Sequence, residues 1–145
     1  MNPTIRHFAA DTRLLPDILA MVRQAGVQAG LSDDLIGKSE LVVEELFTNT
    51  ATHGVSAANR GRQGEPVAVV AWLGVTIHEH VLELCYEDNG PAFDSTLVNE
   101  QQVTERVARA EIGGLGRSLI NSLPASAIYS RQNGRNRLVL RFEQD

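Results

Sequence analysis

The sequence has a single cysteine, no long apolar run and no excess of basic residues. Cys85 alone cannot form an internal disulfide, and its place in the apolar run 81–86 predicts a buried core thiol. A membrane-spanning helix needs about 20 apolar residues in succession, and no stretch of the sequence provides them. A secretory signal is also missing. We therefore expect a cytoplasmic protein that does not associate with a membrane.

Charge argues against a nucleic-acid partner. The formal net charge is −5, with 13 Lys and Arg against 18 Asp and Glu, whereas nucleic-acid and anionic-membrane binders need clustered basic residues. Arg131, Arg135, Arg137 and Arg141 form the nearest approach to a basic cluster. Arginines in and around a predicted hairpin are more often solvated strand positions, so we expect no direct nucleic-acid contact.

Length and composition predict one globular domain over residues 1–145. A chain of 145 residues can build a single substantial core, and 43% hydrophobic with 21% charged residues is ordinary globular composition. No internal repeat or low-complexity segment divides the chain.

The spacing of apolar residues predicts helices first and then strands. Helices are predicted over residues 13–30, 34–53 and 115–122. Strands are predicted over residues 67–76, 81–88, 126–131 and 137–142, with a weaker edge strand over 4–9. Gly54 is the expected end of the second helix, before an exposed loop over 55–66. These elements predict a two-layer α/β (α+β) sandwich, in which a mixed, mostly antiparallel sheet carries its helices on one face.

Two short segments predict tight turns between strands. His78 and His80 flank Glu79 between two strands, where they could form a metal-binding pair or, as we favour, an exposed hairpin tip. Asn133 and Gly134 are typical of the turn in a β-hairpin and predict one between the last two strands.

The second predicted helix carries polar residues along one edge of its apolar stripe. At about 100° per residue, Glu45, Asn49 and His53 lie on one line beside the stripe, while Glu44 points to solvent. Polar residues often border an apolar stripe, so a purely structural role remains open for them. A carboxylate, an amide and an imidazole in one row could equally form the wall of a binding site.

Two later motifs bring further ligand chemistry. Asp88 ends a predicted strand, and Gly90 allows the chain to turn sharply and approach a flat ligand closely. A carboxylate there can accept a hydrogen bond from an exocyclic amine. Gly113, Gly114 and Gly116 would expose backbone N–H groups at a helix N-terminus, where phosphate binds readily. Each motif is common alone, and the three in this order are far more specific.

Together the motifs resemble the GHKL ATPase superfamily with its Bergerat nucleotide fold, and within it the anti-sigma-factor serine kinases of bacterial partner-switching systems. Residues 44–54 resemble the N box and residues 88–94 the adenine-binding box. Residues 113–120 resemble the second glycine box and residues 134–140 the closing strand. The resemblance extends over about residues 11–142, nearly the whole chain.

The resemblance implies a role for particular residues. Glu45 matches the catalytic base and Asn49 the magnesium ligand, whereas Glu44 does not match the base position. The implied nucleotide-binding residues are Asn49, His53, Asp88, Gly90, Phe93, Gly113, Gly114, Leu115, Gly116 and Asn136. Asn136 stands where many members of the superfamily carry a threonine. In the lid region, residues 95–112, Arg106 and Arg109 are candidates for a phosphate contact.

The resemblance also implies an activity and its partners. It implies an ATP- and Mg²⁺-dependent serine/threonine kinase that phosphorylates a STAS-domain anti-sigma-factor antagonist and sequesters a sigma factor or similar target. A homodimer is among the assemblies that it suggests. Two alternatives remain open: a nucleotide-binding module that sequesters its target without kinase activity, and a stand-alone ATPase. Glu45 favours the kinase, because a module that only binds nucleotide needs no base there.

Overall fold

The protein folds around a five-stranded antiparallel sheet. The computed structural model describes residues 3–97 and 116–144, with residues 116–118 described by their backbone alone. The strands are β1 (Thr4–Ala9), β2 (Val70–His78), β3 (Val81–Asp88), β4 (Ser126–Gln132) and β5 (Arg135–Glu143). They lie in the order β1-β2-β3-β5-β4, and each neighbouring pair is antiparallel. The predicted strand positions, including the edge strand β1, are confirmed to within a few residues.

Helices form the second layer. They are α1 (Leu15–Gln28), α2 (Asp33–Asn49), α3 (Val55–Ala58) and α4 (Gly116–Ser122). A π-helical turn, Thr50–Gly54, joins α2 to α3 without interrupting the winding of the chain, and we call it the π segment. A 3₁₀ turn, Thr12–Leu14, precedes α1. The layered α+β sandwich that the sequence predicts is confirmed.

The core lies between the helices and one face of the sheet. On α2 the buried residues coincide with the apolar stripe predicted from the sequence. They are Leu35, Ile36, Ser39, Val42, Val43, Leu46 and Phe47. Alternate residues of β3 and β5 pack in the same cluster, because successive side chains of a strand point to opposite faces. The sheet residues are Leu82, Leu84, Tyr86, Leu138, Leu140 and Phe142.

Local hydrogen bonds position the first two helices. The Asp11 carboxylate accepts a hydrogen bond from the Arg13 backbone N–H at 2.9 Å, and the Arg13 guanidinium lowers the pKa of Asp11 to about 2. The Ser32 hydroxyl caps α2 by accepting from the Leu35 N–H at 3.2 Å. Arg23 of α1 pairs with Glu40 of α2. The cap thus defines where α2 begins, and the ion pair joins α2, which carries the polar edge, to α1.

Ser32→Ala should lower the free energy of unfolding by about 1 kcal/mol, because it leaves a helix N-terminal N–H without its side-chain acceptor. Urea unfolding measures the change. Ser126→Ala, at an exposed position of β4, is the matched control and should change stability by less than about 0.5 kcal/mol. Equal effects of the two substitutions would show that the cap contributes nothing.

Gly54 does not end the helix, contrary to the prediction. Its φ of −63° is right-handed helical, and the Val55 N–H donates to the Thr50 carbonyl, so winding continues through α3 to Ala58. Asn59 then closes the segment: its amide donates to the Val55 carbonyl at 2.9 Å and accepts from the Val67 N–H at 2.6 Å. The expected loop therefore begins after Ala58.

Cys85 is not a core residue, and that prediction was wrong. Its neighbours on β3, Leu84 and Tyr86, are buried under the helices, so Cys85 points to the opposite face of the sheet. There it lies in register with Gly74 and Val139. It is partly buried, which raises the pKa of its thiol.

Strand β2 begins at Val70, three residues later than predicted. The Asn89 side chain takes the place of a strand partner at this end: it accepts from the Val70 N–H at 2.7 Å and donates to the Ala68 carbonyl at 3.2 Å. The same strand ends at the exposed tip formed by Glu79 and His80. The Asn133–Gly134 turn is confirmed, with positive φ at both residues.

Candidate functional site

A cavity of about 400 Å³ opens between the end of α2, the chain after β3, and strands β4 and β5. It is of the size that a small-molecule ligand occupies. Six residues predicted to bind nucleotide line it together. They are Asn49, His53, Asp88, Gly90, Phe93 and Asn136. Residues separated by up to 87 positions in the chain thus meet in one place.

The polar edge of α2 leads to this cavity. Asn49 lines it, and Glu45 lies one helical turn earlier, partly buried and outside the lining. Glu44 is exposed, as predicted. The Asn49 side-chain nitrogen is buried and has no hydrogen-bond partner among the described residues. Because buried amide groups are normally paired, this nitrogen is available to donate a hydrogen bond to a ligand in the cavity.

The π segment brings α2 close to the chain that follows β3. A Cβ added to Gly90 would lie 3.7 Å from the Gly54 Cα and 3.3 Å from the Asp88 carboxylate. A side chain at position 90 would therefore crowd the Asp88 carboxylate and come into ordinary contact with the helix. His53, in the same segment, is exposed at the cavity rim. π-helical turns occur often at functional sites, and here the turn forms one wall of the cavity.

Three donors orient the Asp88 carboxylate. Its Oδ1 accepts from the Gly90 N–H at 3.1 Å and from the Asn136 amide at 2.8 Å. Its Oδ2 accepts from the Thr50 hydroxyl at 2.9 Å. A carboxylate oxygen has two acceptor sites, so Oδ2 keeps one for a ligand. This arrangement suits an exocyclic amine donating to Oδ2.

Asn136 holds the chain that follows Asp88. Its side-chain nitrogen donates to Asp88 and to the Pro91 carbonyl, both at 2.8 Å. Its oxygen accepts from the Phe93 N–H at 2.9 Å. Both N–H groups of the amide are used within the protein. Asn136 can therefore affect ligand binding indirectly, by holding Asp88 and the backbone at Pro91 in place. A direct contact of Asn136 with a nucleotide stays a prediction.

Two residues of β4 complete this arrangement, and sequence reasoning missed both. Tyr129 donates its hydroxyl to the Asn136 side-chain oxygen at 2.7 Å. Arg131 donates to the same oxygen at 3.1 Å and to the Gly90 carbonyl at 2.8 Å. Arg131 was interpreted as a solvated strand position, whereas its guanidinium joins β4 to the chain that follows β3, through the Gly90 carbonyl.

Sequence reasoning also missed Thr50, Arg60 and Tyr86, which line the cavity. Tyr86 stands two residues before Asp88 on β3, and the two-residue period of a strand could have placed it on the same face. Arg60 follows His53 by seven residues, which is the same face of a helix, but the expected stop at Gly54 hid this relation. Arg60 is an exposed cation at the rim of the cavity.

Part of the predicted site lies outside the described residues. Gly113, Gly114 and Leu115 are in this part, as are Arg106 and Arg109 of the lid region. Gly116 is the first residue of α4. The predicted phosphate contacts of these residues therefore stay predictions.

The fold and the cavity define an α/β sandwich domain with a small-molecule site at the junction of helix and sheet, of a kind suited to an adenine nucleotide. The sequence matches the histidine kinase-like ATPase domain over residues 8–142, and the chain belongs to this family of GHKL type. Membership implies that the protein binds ATP or ADP and uses ATP. No curated protein matches it significantly in sequence.

Within residues 3–97 and 116–144, no helix is both long and apolar enough to cross a membrane.

Proposed function

We propose that this protein is a Mg²⁺-dependent serine/threonine kinase that transfers phosphate from ATP to a STAS-domain anti-sigma-factor antagonist. The observation that carries the proposal is the edge of α2. There, a partly buried carboxylate, Glu45, lies one helical turn from Asn49, whose amide lines the cavity and has no partner in the described part of the chain. A module that only holds nucleotide has no need of this carboxylate.

The residues present fit a magnesium–nucleotide complex. The side-chain oxygen of Asn49, a lining residue, can supply one ligand, and the buried nitrogen of the same amide can donate to a phosphate oxygen. The described residues include no group of three or more His, Cys, Asp or Glu placed to hold a metal, so the phosphates would supply further ligands, as is usual for magnesium. Magnesium bound there would neutralise charge on the phosphates.

Each side chain then has a separate task. Asp88 accepts from the adenine amine, and Gly90 lets the ring approach the backbone. Asn49 anchors the phosphate end of the ligand. Glu45 orients the hydroxyl of the acceptor protein or accepts its proton, which is the work of a general base. The base and the anchor thus sit on one rigid helix, α2, so their separation is set by helix geometry.

The partners are proposed from the resemblance of residues 44–54, 88–94 and 113–120 to partner-switching kinases. When not engaged with the antagonist, the protein would sequester a sigma factor or a similar regulatory target. A homodimer would present two such sites.

One observation favours a second candidate function. Glu45 does not line the cavity itself. The same arrangement is expected in a module that binds nucleotide and sequesters its target without transferring phosphate. The position of the acceptor hydroxyl decides between the two, because a base must contact the nucleophile and need not touch the nucleotide.

Incubation with γ-labelled ATP, Mg²⁺ and purified candidate antagonists tests the proposal. We expect label on a serine or threonine of one antagonist, and none when EDTA replaces Mg²⁺. Binding of ADP without transfer to any antagonist would instead support the sequestration module. Release of labelled phosphate to water, with no labelled protein, would identify a stand-alone ATPase.

A further inference from the structure

We propose that a buried pair of hydroxyl groups, those of Thr50 and Tyr86, positions the Asp88 carboxylate and thereby sets the preference of the site for adenine. The inference rests on the proposed function only in that the cavity must bind an adenine nucleotide; it does not depend on phosphate transfer. Neither hydroxyl belongs to the residues that the three sequence motifs assign to the ligand.

The pair lies at the floor of the cavity, between the helix layer and the sheet. Thr50 is 3% exposed and Tyr86 is 4% exposed, and both line the cavity. Their oxygens are 2.7 Å apart, and the Thr50 oxygen is 2.9 Å from Asp88 Oδ2. A continuous chain of hydrogen bonds therefore runs from Tyr86 through Thr50 to Asp88.

The direction of this chain follows from the number of protons available. The Tyr86 hydroxyl has one proton and is closer to the Thr50 oxygen, at 2.7 Å, than to the Leu46 carbonyl, at 3.3 Å. Burial raises the pKa of Tyr86 well above its usual range, so the proton stays on the phenol. Thr50 then accepts from Tyr86 and has its own proton to donate. Two acceptors lie within reach of that proton, the Leu46 carbonyl at 3.0 Å and Asp88 Oδ2 at 2.9 Å. The Leu46 carbonyl already accepts from the Thr50 backbone N–H. The carboxylate is charged and is therefore the stronger acceptor, so the hydroxyl donates to Asp88.

The chain determines which carboxylate oxygen meets the ligand. Gly90 and Asn136 occupy both acceptor sites of Oδ1, so an amine can be accepted only at the remaining site of Oδ2. The Thr50 hydroxyl fills the other site of Oδ2 and prevents the carboxyl group from rotating. Without it, the acceptor that distinguishes adenine from a purine lacking the amine would lose its fixed direction.

Packing alone does not account for the pair. Two apolar side chains of similar volume would fill the space between α2 and β3, and a buried polar pair is often no more stabilising than such a replacement. Apolar groups cannot donate hydrogen bonds, whereas this pair donates one to Asp88 Oδ2, the oxygen that would accept from the adenine amine. Thr50 and Tyr86 are thus positioning residues that act through Asp88.

The test compares two ligands that differ by one amine. Calorimetry measures the binding of ADP and of purine riboside 5′-diphosphate, which lacks the exocyclic amine, to wild type and to Thr50→Val, a nearly isosteric change. We expect Thr50→Val to weaken ADP binding about tenfold, because the bond between the adenine amine and Asp88 loses its alignment, and one hydrogen bond contributes up to about 1.5 kcal/mol. Binding of the analogue should change less than about twofold, because it makes no use of the amine acceptor.

Two further variants separate positioning from folding. Thr50→Ser keeps the hydroxyl and should restore the preference for ADP over the analogue. Tyr86→Phe keeps the ring in the core and should lower the preference less than Thr50→Val does, because Thr50 retains its own proton. Equal weakening of both ligands by Thr50→Val, or unchanged ADP binding, would overturn the proposal. If the wild-type protein binds neither ligand, the proposed nucleotide site is wrong. If it binds both ligands equally, nucleotide binding stands, but recognition of the adenine amine by Asp88 is wrong.

Discussion

Glu45→Gln should lower the rate of phosphate transfer from ATP to the antagonist by about 10²–10⁴, the usual cost of removing a general base. Its affinity for ADP should stay within about twofold of wild type, because Glu45 does not line the cavity. A residue that interacts only with the attacking hydroxyl affects the rate of transfer and leaves nucleotide affinity unchanged. The variant should still bind the antagonist and should retain it unphosphorylated. Single-turnover transfer of labelled phosphate measures the rate, and calorimetry measures ADP affinity.

Glu44→Gln is the matched control for this experiment. Glu44 is the same residue type on the same helix, but it is exposed, whereas Glu45 is partly buried, and it does not line the cavity. We expect its rate and its ADP affinity to equal those of wild type. If Glu45→Gln transfers phosphate at the wild-type rate, Glu45 is not the base; if the two substitutions slow transfer equally, the effect reflects the charge of the helix and no specific role.

Asn49→Ala should lower both ADP affinity in Mg²⁺ and phosphate transfer, each by about 10- to 100-fold, because bonds to charged groups contribute about 1.5–3 kcal/mol. Asn49 lines the cavity, and its buried side-chain nitrogen has no hydrogen-bond partner among the described residues, so truncation removes no hydrogen bond between that nitrogen and the protein. The loss of affinity should shrink when EDTA replaces Mg²⁺. Calorimetry in both conditions, with the labelled-phosphate assay, measures these effects.

Thr52→Ala, in the neighbouring π segment, is the control for Asn49→Ala. Thr52 is exposed, does not line the cavity and donates only to the Thr48 carbonyl, at 2.7 Å. It should leave ADP affinity unchanged. An Asn49→Ala variant with lower affinity in EDTA and in Mg²⁺ alike would contradict metal binding by Asn49, while the contact with the nucleotide would stand.

Glu45 and Asn49 differ in what each substitution should remove, and this difference separates the candidate functions. A kinase loses transfer with either residue but loses nucleotide affinity only with Asn49. A sequestration module would lose affinity with Asn49 and would show no measurable role for Glu45. The comparison therefore needs both variants in the same two assays.

Local sequence patterns were sufficient for most of the secondary structure. The buried face of α2 follows from apolar residues spaced at the helical period, a property of the residues themselves. Strand β3 spans Val81–Asp88, as predicted, because a turn at Glu79 and the Asp88–Gly90 motif bound it on either side. The resemblance to the GHKL superfamily named Asn49, Asp88 and Asn136 as nucleotide-binding residues, and all three line the cavity; their contacts with a nucleotide stay predictions.

Local patterns failed where contacts distant in the chain override a residue's usual preference. Gly54 is a common helix stop, but here the helix continues past it and lies against Gly90 of another segment. Cys85 resembles a core residue in an apolar run, but which face of β3 is covered depends on where the helices pack. Such choices depend on partners that a short window of sequence does not contain.

The chemistry around Asp88 shows the same division. The sequence itself is enough to identify a carboxylate at a strand end, beside a glycine that permits close approach of a ligand. The hydrogen bonds that orient this carboxylate join residues far apart: Thr50 reaches it across 38 positions and Asn136 across 48. Hydrogen bonds act over about 3 Å and depend on direction, so they form only after the helix layer and the sheet have packed. The residue types at positions 88 and 90 determine the chemical groups present at this point of the cavity, and the packing of α2, β3 and β5 determines how those groups are oriented.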